Sequence, residues 1–231
     1  NVFTPPQILA SDLSGLALDL AHWGVHNPSM LAFLDTPPEA ALKESVALLK
    51  NLGALDESGA LTQRGRLMRG LSLPPRLAAM VIAAASEGAG KKAAMLAVML
   101  TEQGLGGNDL DPDERLRRFI SDRSERAQAA RKLASRLFDA IGDTKTVAEL
   151  PSAAGPLLLH AYPDRIALQR GARGRYVMAN GRGAELAETE RLAASRMLVV
   201  ADITGRAAQP RILAAAGIDR LDIEERMPHL I

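Results

Sequence analysis

The 231-residue chain contains no cysteine. That excludes disulfides, thiolate nucleophiles and Cys-based zinc sites, and it fits a reducing compartment. Aromatic residues are scarce, with one Trp, two Tyr and four Phe. The interior must therefore be built from Leu, Ala, Val, Ile and Met, and abundant Ala and Leu favour helix. The apolar run from Ala78 to Ala85 is far short of the roughly 20 residues that a membrane-spanning helix requires. No signal peptide is read at the start. The chain opens on Asn1 rather than Met, as expected for a fragment or a processed product. Excess charge is also missing: the formal net charge is +1.

Catalytic motifs are lacking too. "SEGAGKKAAM" (Ser86 to Met95) has the look of a phosphate loop, but Ala85 stands where the first glycine is needed. Lys92 replaces the Ser or Thr that would hold Mg²⁺, so a helix–helix turn is expected there. The four histidines (His22, His26, His160, His229) are scattered. The i,i+4 pair His22/His26 lacks the Glu of a zinc-protease helix. No Gly-x-Ser-x-Gly elbow and no distinctive carboxylate pair occurs. The chain itself is expected to carry no active site and to bind no cofactor or metal.

What is present falls into three kinds of text, giving a mainly α fold with a smaller β part. Residues 1–73 are expected to form a winged-helix domain, 74–150 a helical bundle and 151–231 a small β domain. In the first part, apolar residues at helical spacing run from Pro6 to Gly24 and again from Leu42 to Leu52. Glu39 would meet the positive end of the second helix. "LGALDESGALTQRGRLM" (Leu52 to Met68) then reads as a helix end at Gly53, a hairpin turning at Ser58-Gly59, and a helix N-capped by Thr62.

After Pro74-Pro75, residues 76–105 read as two helices broken near Gly88–Gly90, followed by one long helix from Asp113 to about Ile141. That helix bears many arginines, Arg123 and Arg126 among them, interleaved with acids. It reads either as a strand-binding surface or as a solvated, salt-bridged face. After Pro151 a short helix, 153–161, precedes four or five short strands separated by glycines, the pattern of a small barrel.

Charge is unevenly shared. Residues 1–73 carry 5 basic and 7 acidic groups, whereas 151–231 carry 11 and 9, every basic group there being Arg. Arg165, Arg170, Arg173, Arg175 and Arg182 fall within eighteen residues, with Tyr176 among them and Asp164 as the only nearby acid. Guanidinium groups for phosphates beside an aromatic for stacking describe a single-strand surface on a small barrel. Charged hairpin edges that block aggregation are the other reading. The helix after Thr62 offers a rival nucleic-acid element through Gln63, Arg66 and Arg69, but its segment is net acidic.

Pro37, Pro38, Leu52 to Asp56, Gly59, Leu61, Thr62, Gly65, Leu71, Pro75, Arg76 and Leu77 carry a resemblance to the helicase-associated region of DEAH-type helicases. "AYPDRIALQRGARGRYVMANGRGAEL" resembles the bacterial HrpB-type ATP-dependent helicases in particular, and the likeness extends over essentially the whole chain.

The resemblance implies a winged helix, a ratchet-like bundle and an oligonucleotide-binding (OB)-type barrel, C-terminal to two RecA-like motor lobes of the same polypeptide. ATP and Mg²⁺ would be held by those lobes, in a cytoplasmic bacterial enzyme with no membrane attachment. The family's further C-terminal region is expected to be missing. The module would grip single-stranded RNA or DNA, with Arg170, Arg173, Arg175 and Arg182 as the expected contacts and Arg123 and Arg126 as additional ones. These residues are chosen by charge and position. A stand-alone winged-helix DNA-binding regulator with an effector domain is the alternative, and a protein-binding adaptor a third.

Overall fold

The computed structural model describes residue 8 and residues 12–25, 31–142, 153–204 and 210–228. The start of the first expected helix, His26, His229 and the boundary at Leu150-Pro151 lie outside the described residues. The chain divides into two compact units, 1–79 and 80–231.

In the first unit, helices α1 (Ser14–His22), α2 (Glu39–Asn51) and α3 (Gln63–Gly70) pack around Leu18, Leu20, Leu49, Leu52 and Met68. Gly53 ends α2 at φ +71° and Gly59 turns the hairpin at φ +86°, conformations that only glycine adopts cheaply. Thr62 caps α3 as its sequence implies: its Oγ1 accepts from the Gly65 amide at 2.9 Å. Between the helices the expected pair of strands shrinks to a single bridge, Leu55 to Leu61. The Asp56 carboxylate accepts from Ser58 Oγ (2.6 Å) and the Ala60 amide (3.0 Å), closing the turn at once. The cap at Thr62 then leaves no length for a ladder.

Helix α4 (Pro75–Ser86) carries the chain into the second unit, where α5 (Gly90–Thr101), α6 (Pro112–Ser121) and α7 (Glu125–Asp139) complete a bundle. Its interior holds Met80, Leu96, Met99, Leu116 and Phe119, all buried. The long helix expected from Asp113 to Ile141 is in fact two helices. Asp122 turns extended, and its carboxylate accepts the Ser124 amide at 2.8 Å. Ser124 Oγ in turn caps α7 through the Ala127 amide at 3.2 Å. Two successive short polar side chains satisfy the backbone locally, and that outweighs the continuous helical spacing around them. Ile120 and Leu133, apolar positions of that helical spacing, are left 49% and 43% exposed.

The remainder of the second unit is a closed five-stranded barrel between α8 (Ala154–Leu159) and α9 (Arg220–Arg226). Strands β1 (Ile166–Gln169), β2 (Arg175–Met178), β3 (Gly183–Glu185), β4 (Met197–Thr204) and β5 (Arg211–Gly217) close in the order β1-β2-β3-β5-β4. All pairs are antiparallel except β3 with β5, which is an OB-like arrangement. Closure of so few strands leaves a narrow interior. It is filled by Ala167, Ala184 and Ala215 beside Tyr176, Met178 and Leu198, which explains why alanine is common in these strands. Helix α9 was not anticipated. Its signal is the capping box formed by Asp219 and Asp222.

Bundle and barrel are joined polar group to polar group. The Asp113 carboxylate accepts the Ala154 amide at 2.9 Å, and Arg191, on the single turn Arg191–Ala194, reaches Asp111 at 2.6 Å. His160 Nε2 lies 2.9 Å from Glu87, which Arg226 also faces at 3.4 Å. None of the described helices is long and apolar enough to cross a membrane.

Candidate nucleic-acid interface

The arginine-rich stretch is the loop between β1 and β2. Its shape follows from backbone pairing: the Arg170 amide donates to Arg175 O at 2.9 Å, and the Arg175 amide to Ala172 O at 3.2 Å. Gly174 sits at φ +79°, and a Cβ there would meet Leu186 O at 2.5 Å. Only glycine lets the loop lie against the end of β3 in this way. The result is a tight projection from which Arg170 and Arg173 reach solvent, neither with a carboxylate partner among the described residues.

Arg175 begins β2 on its outer face, as the exposed–buried alternation of that strand requires. It is partly neutralised: its Nε lies 3.6 Å from Glu185 Oε1, on the residue paired with it across β2 and β3. Arg182 is exposed in the β2–β3 turn, a strand length of about 10 Å from Arg175. The structure therefore gathers Arg170, Arg173 and Arg175 at one end of β2 and places Arg182 at the other.

Tyr176 is not the stacking surface that its position among the arginines suggested. The same alternation that turns Arg175 outward turns Tyr176 inward, where it is 2% exposed. Its hydroxyl lies 3.0 Å from Leu192 O and 2.8 Å from Ser195 O, and desolvation pushes its pKa up, opposed by the charge of Arg173. The ring thus anchors the segment leading into β4. Residues 151–231 contain only one other aromatic, Tyr162, and it too is buried. The barrel offers cations without exposed aromatic faces.

That anchored segment carries a residue the sequence reading passed over. Arg196, just before β4, is exposed and has no carboxylate partner among the described residues. Its carbonyl accepts the Gln169 amide at 2.9 Å, so it stands beside the root of the arginine loop. No local signal could have found it; only the β1–β4 pairing makes it a neighbour.

Arg123 and Arg126 lie on the bundle instead. Arg123 is exposed in the break between α6 and α7. Arg126 donates to Gln103 O and lies 3.9 Å from Glu102. Its neighbours are engaged as well: Arg118 with Asp109 at 3.0 Å, Arg117 with Glu114, and Arg131 with Phe119 O at 2.7 Å. The salt-bridged reading describes Arg117, Arg118 and Arg126, whereas Arg123, Lys132 and Arg136 are exposed with no carboxylate partner among the described residues.

The stretch Ser86 to Met95 is the α4–α5 turn, as expected, and its lysines are occupied. Lys91 Nζ stands 5.8 Å from the centre of the Phe138 ring and Lys92 lies 3.6 Å from Asp113. On α3, Arg69 pairs with Asp19 at 2.8 Å, and Arg66 donates to Leu61 O.

Comparison with known proteins agrees with this architecture. Residues 45–73 match the winged-helix part of the helicase associated domain (HA2). ATP-dependent RNA helicase HrpB of Escherichia coli (strain K12) is 36% identical over 229 residues, 98% of this chain. This chain is a helicase-associated region of the HrpB type. It spans 27% of the length of that helicase. ATP-dependent RNA helicase HrpA of the same organism is 31% identical over 132 residues, 53% of this chain and 10% of HrpA. A crystal structure of the E. coli DExH-box NTPase HrpB superposes on the HrpB-type region with a TM-score of 0.83. It is 33% identical, and the match covers 98% of this chain and 27% of that one.

Proposed function

We propose that this HrpB-type region is the accessory nucleic-acid-binding module of an ATP-dependent helicase. It grips a single strand of RNA or DNA while packing on the RecA-like motor lobes of the same polypeptide. The observation that carries the reading is the cluster of exposed guanidinium groups on the β1–β2 loop, Arg170 and Arg173 without carboxylate partners among the described residues and Arg175 beside them. The loop between the first two strands is a recurrent oligonucleotide-binding position on barrels of this kind. Winged helix, bundle and barrel would act as three parts in closing on the strand. ATP and Mg²⁺ would be held by the motor lobes, in a cytoplasmic protein. A stand-alone winged-helix regulator is disfavoured, because the likeness to HrpB covers 98% of this chain and α3 has Arg69 already paired to Asp19.

Arg170, Arg173, Arg175 and Arg182 are the proposed contacts, with Arg123 and Arg126 secondary. Without an exposed aromatic on the barrel, binding there rests mainly on phosphate charge, so it should be weak, indifferent to sequence and steeply salt-dependent. Titrating labelled single-stranded RNA and DNA across salt tests this. Replacing Arg170, Arg173 and Arg175 together with Ala should flatten the log–log salt slope by about 2, at roughly 0.7 per lost phosphate contact. An unchanged slope moves the site elsewhere.

A further inference from the structure

Beside the arginine loop, the outer side of the β1–β4 seam opens into a groove of about 950 Å³ closed on its far side by α9. Its floor includes Ile166, Leu168, Met197, Ile218 and Ile223. Leu168 and Met197 are register partners, so the floor is continuous across the two strands. Most of the charged groups lining it are already engaged. Asp219 and Asp222 form the capping box of α9, Asp222 also faces Arg226 at 3.4 Å, and Arg220 pairs with Glu224 at 2.6 Å. Arg196 is the charged lining residue that has no partner among the described residues.

We infer that the strand held by Arg170 and Arg173 continues over the β1–β4 seam, with a phosphate on Arg196 and its base against the apolar floor of this groove. The inference rests on the strand-binding reading above and adds the direction of the path. The outer face of β2 and β3 is the common alternative on such barrels. Here, however, the guanidinium at the start of that face is partly neutralised, because Arg175 has Glu185 at 3.6 Å. The β1–β4 side offers an unneutralised cation next to apolar surface. A phosphate needs the first and a base, which has an apolar face, fits the second. An acidic peptide would use Arg196 but would leave the loop arginines unexplained.

The test uses the intact 231-residue chain and a fluorescently labelled oligouridylate, titrated across salt. Arg196→Ala should weaken binding about fivefold near 0.1 M salt and flatten the slope by about 0.7, as one lost phosphate contact does on a single strand. Arg196→Lys, which keeps the charge, should restore most of both. A strand with abasic sugars in place of bases should bind the wild type several-fold more weakly, although its charge is unchanged. If Arg196→Ala is silent while Arg170→Ala weakens binding, the strand does not cross the seam and the inference falls. If the abasic strand binds equally well, the floor holds no base and the inference also falls. If Arg170→Ala and Arg196→Ala are both silent, the strand-binding reading itself is wrong.

Discussion

The bundle and the barrel both display arginines, yet the two sets are not equivalent. On the bundle, Arg117, Arg118 and Arg126 face Glu114, Asp109 and Glu102, and Arg131 donates to a backbone carbonyl, so that Arg123, Lys132 and Arg136 are the exposed cations of α6, α7 and the break between them left without a carboxylate partner among the described residues. On the barrel, Arg170, Arg173, Arg182 and Arg196 have no carboxylate partner among the described residues. A guanidinium already facing a carboxylate must exchange one anion for another, so binding a phosphate gains it little. One that faces only water keeps its full field for a ligand. The number of positive charges on a surface therefore says less about binding than the number left unneutralised.

The largest effect on this contrast should come from the loop that presents the barrel arginines. Gly174→Ala forces a side chain into a left-handed conformation and against Leu186 O. It should destabilise the second unit by about 2 kcal/mol, visible as a lowered thermal midpoint. Strand binding should fall as the loop leaves its position. An unchanged midpoint with full binding would mean that this backbone geometry is not needed.

A smaller effect concerns the seam between bundle and barrel. The Glu87 carboxyl is held below its ordinary pKa, first by His160 and also by Arg226, against the opposing effect of burial. A carboxylate whose folded pKa is depressed contributes stability above its unfolded pKa and loses it as pH falls through the folded value. Glu87→Gln should thus cost about 1 kcal/mol near neutrality. The variant and wild type should converge in denaturant titrations as the pH drops below about 4. A difference that persists unchanged into acid would show that the charge of Glu87 is not what joins the two parts.

The smallest effect should be on the bundle. Arg118→Ala together with Arg126→Ala removes two cations that already face acids. Binding of single strands should change by less than about twofold, as for surface ion pairs of small net worth. A loss matching that of the barrel arginines would erase the contrast drawn above.

Much of the fold was legible wherever one short-range rule acted alone. Gly53, Gly59 and Thr62 announced the turns and cap that they form, and glycines stand where the chain turns between β1 and β2 and between β2 and β3. The long helix failed because helical spacing continued through residues 122–124, while Asp122 and Ser124 offered the backbone a local alternative. The candidate site was legible only in part. Arg170, Arg173 and Arg175 are neighbours in sequence and share one end of β2. The role of Tyr176 was misread because strand alternation, which decides whether it faces solvent or core, depends on the register of β2 with β1 and β3.

Local residue chemistry determined by itself where several turns and the cap at Thr62 fall, since caps and turns act within a few residues. It also determined the absence of thiol chemistry and the concentration of guanidinium groups near the barrel. Tertiary structure decided which of those charges remain unneutralised and that Arg196 stands beside a loop more than twenty residues away in the chain. The reason is that Coulomb and apolar contacts act through space. Only closure of the β1–β4 pair and docking of the bundle determine which groups lie within a few ångströms of one another.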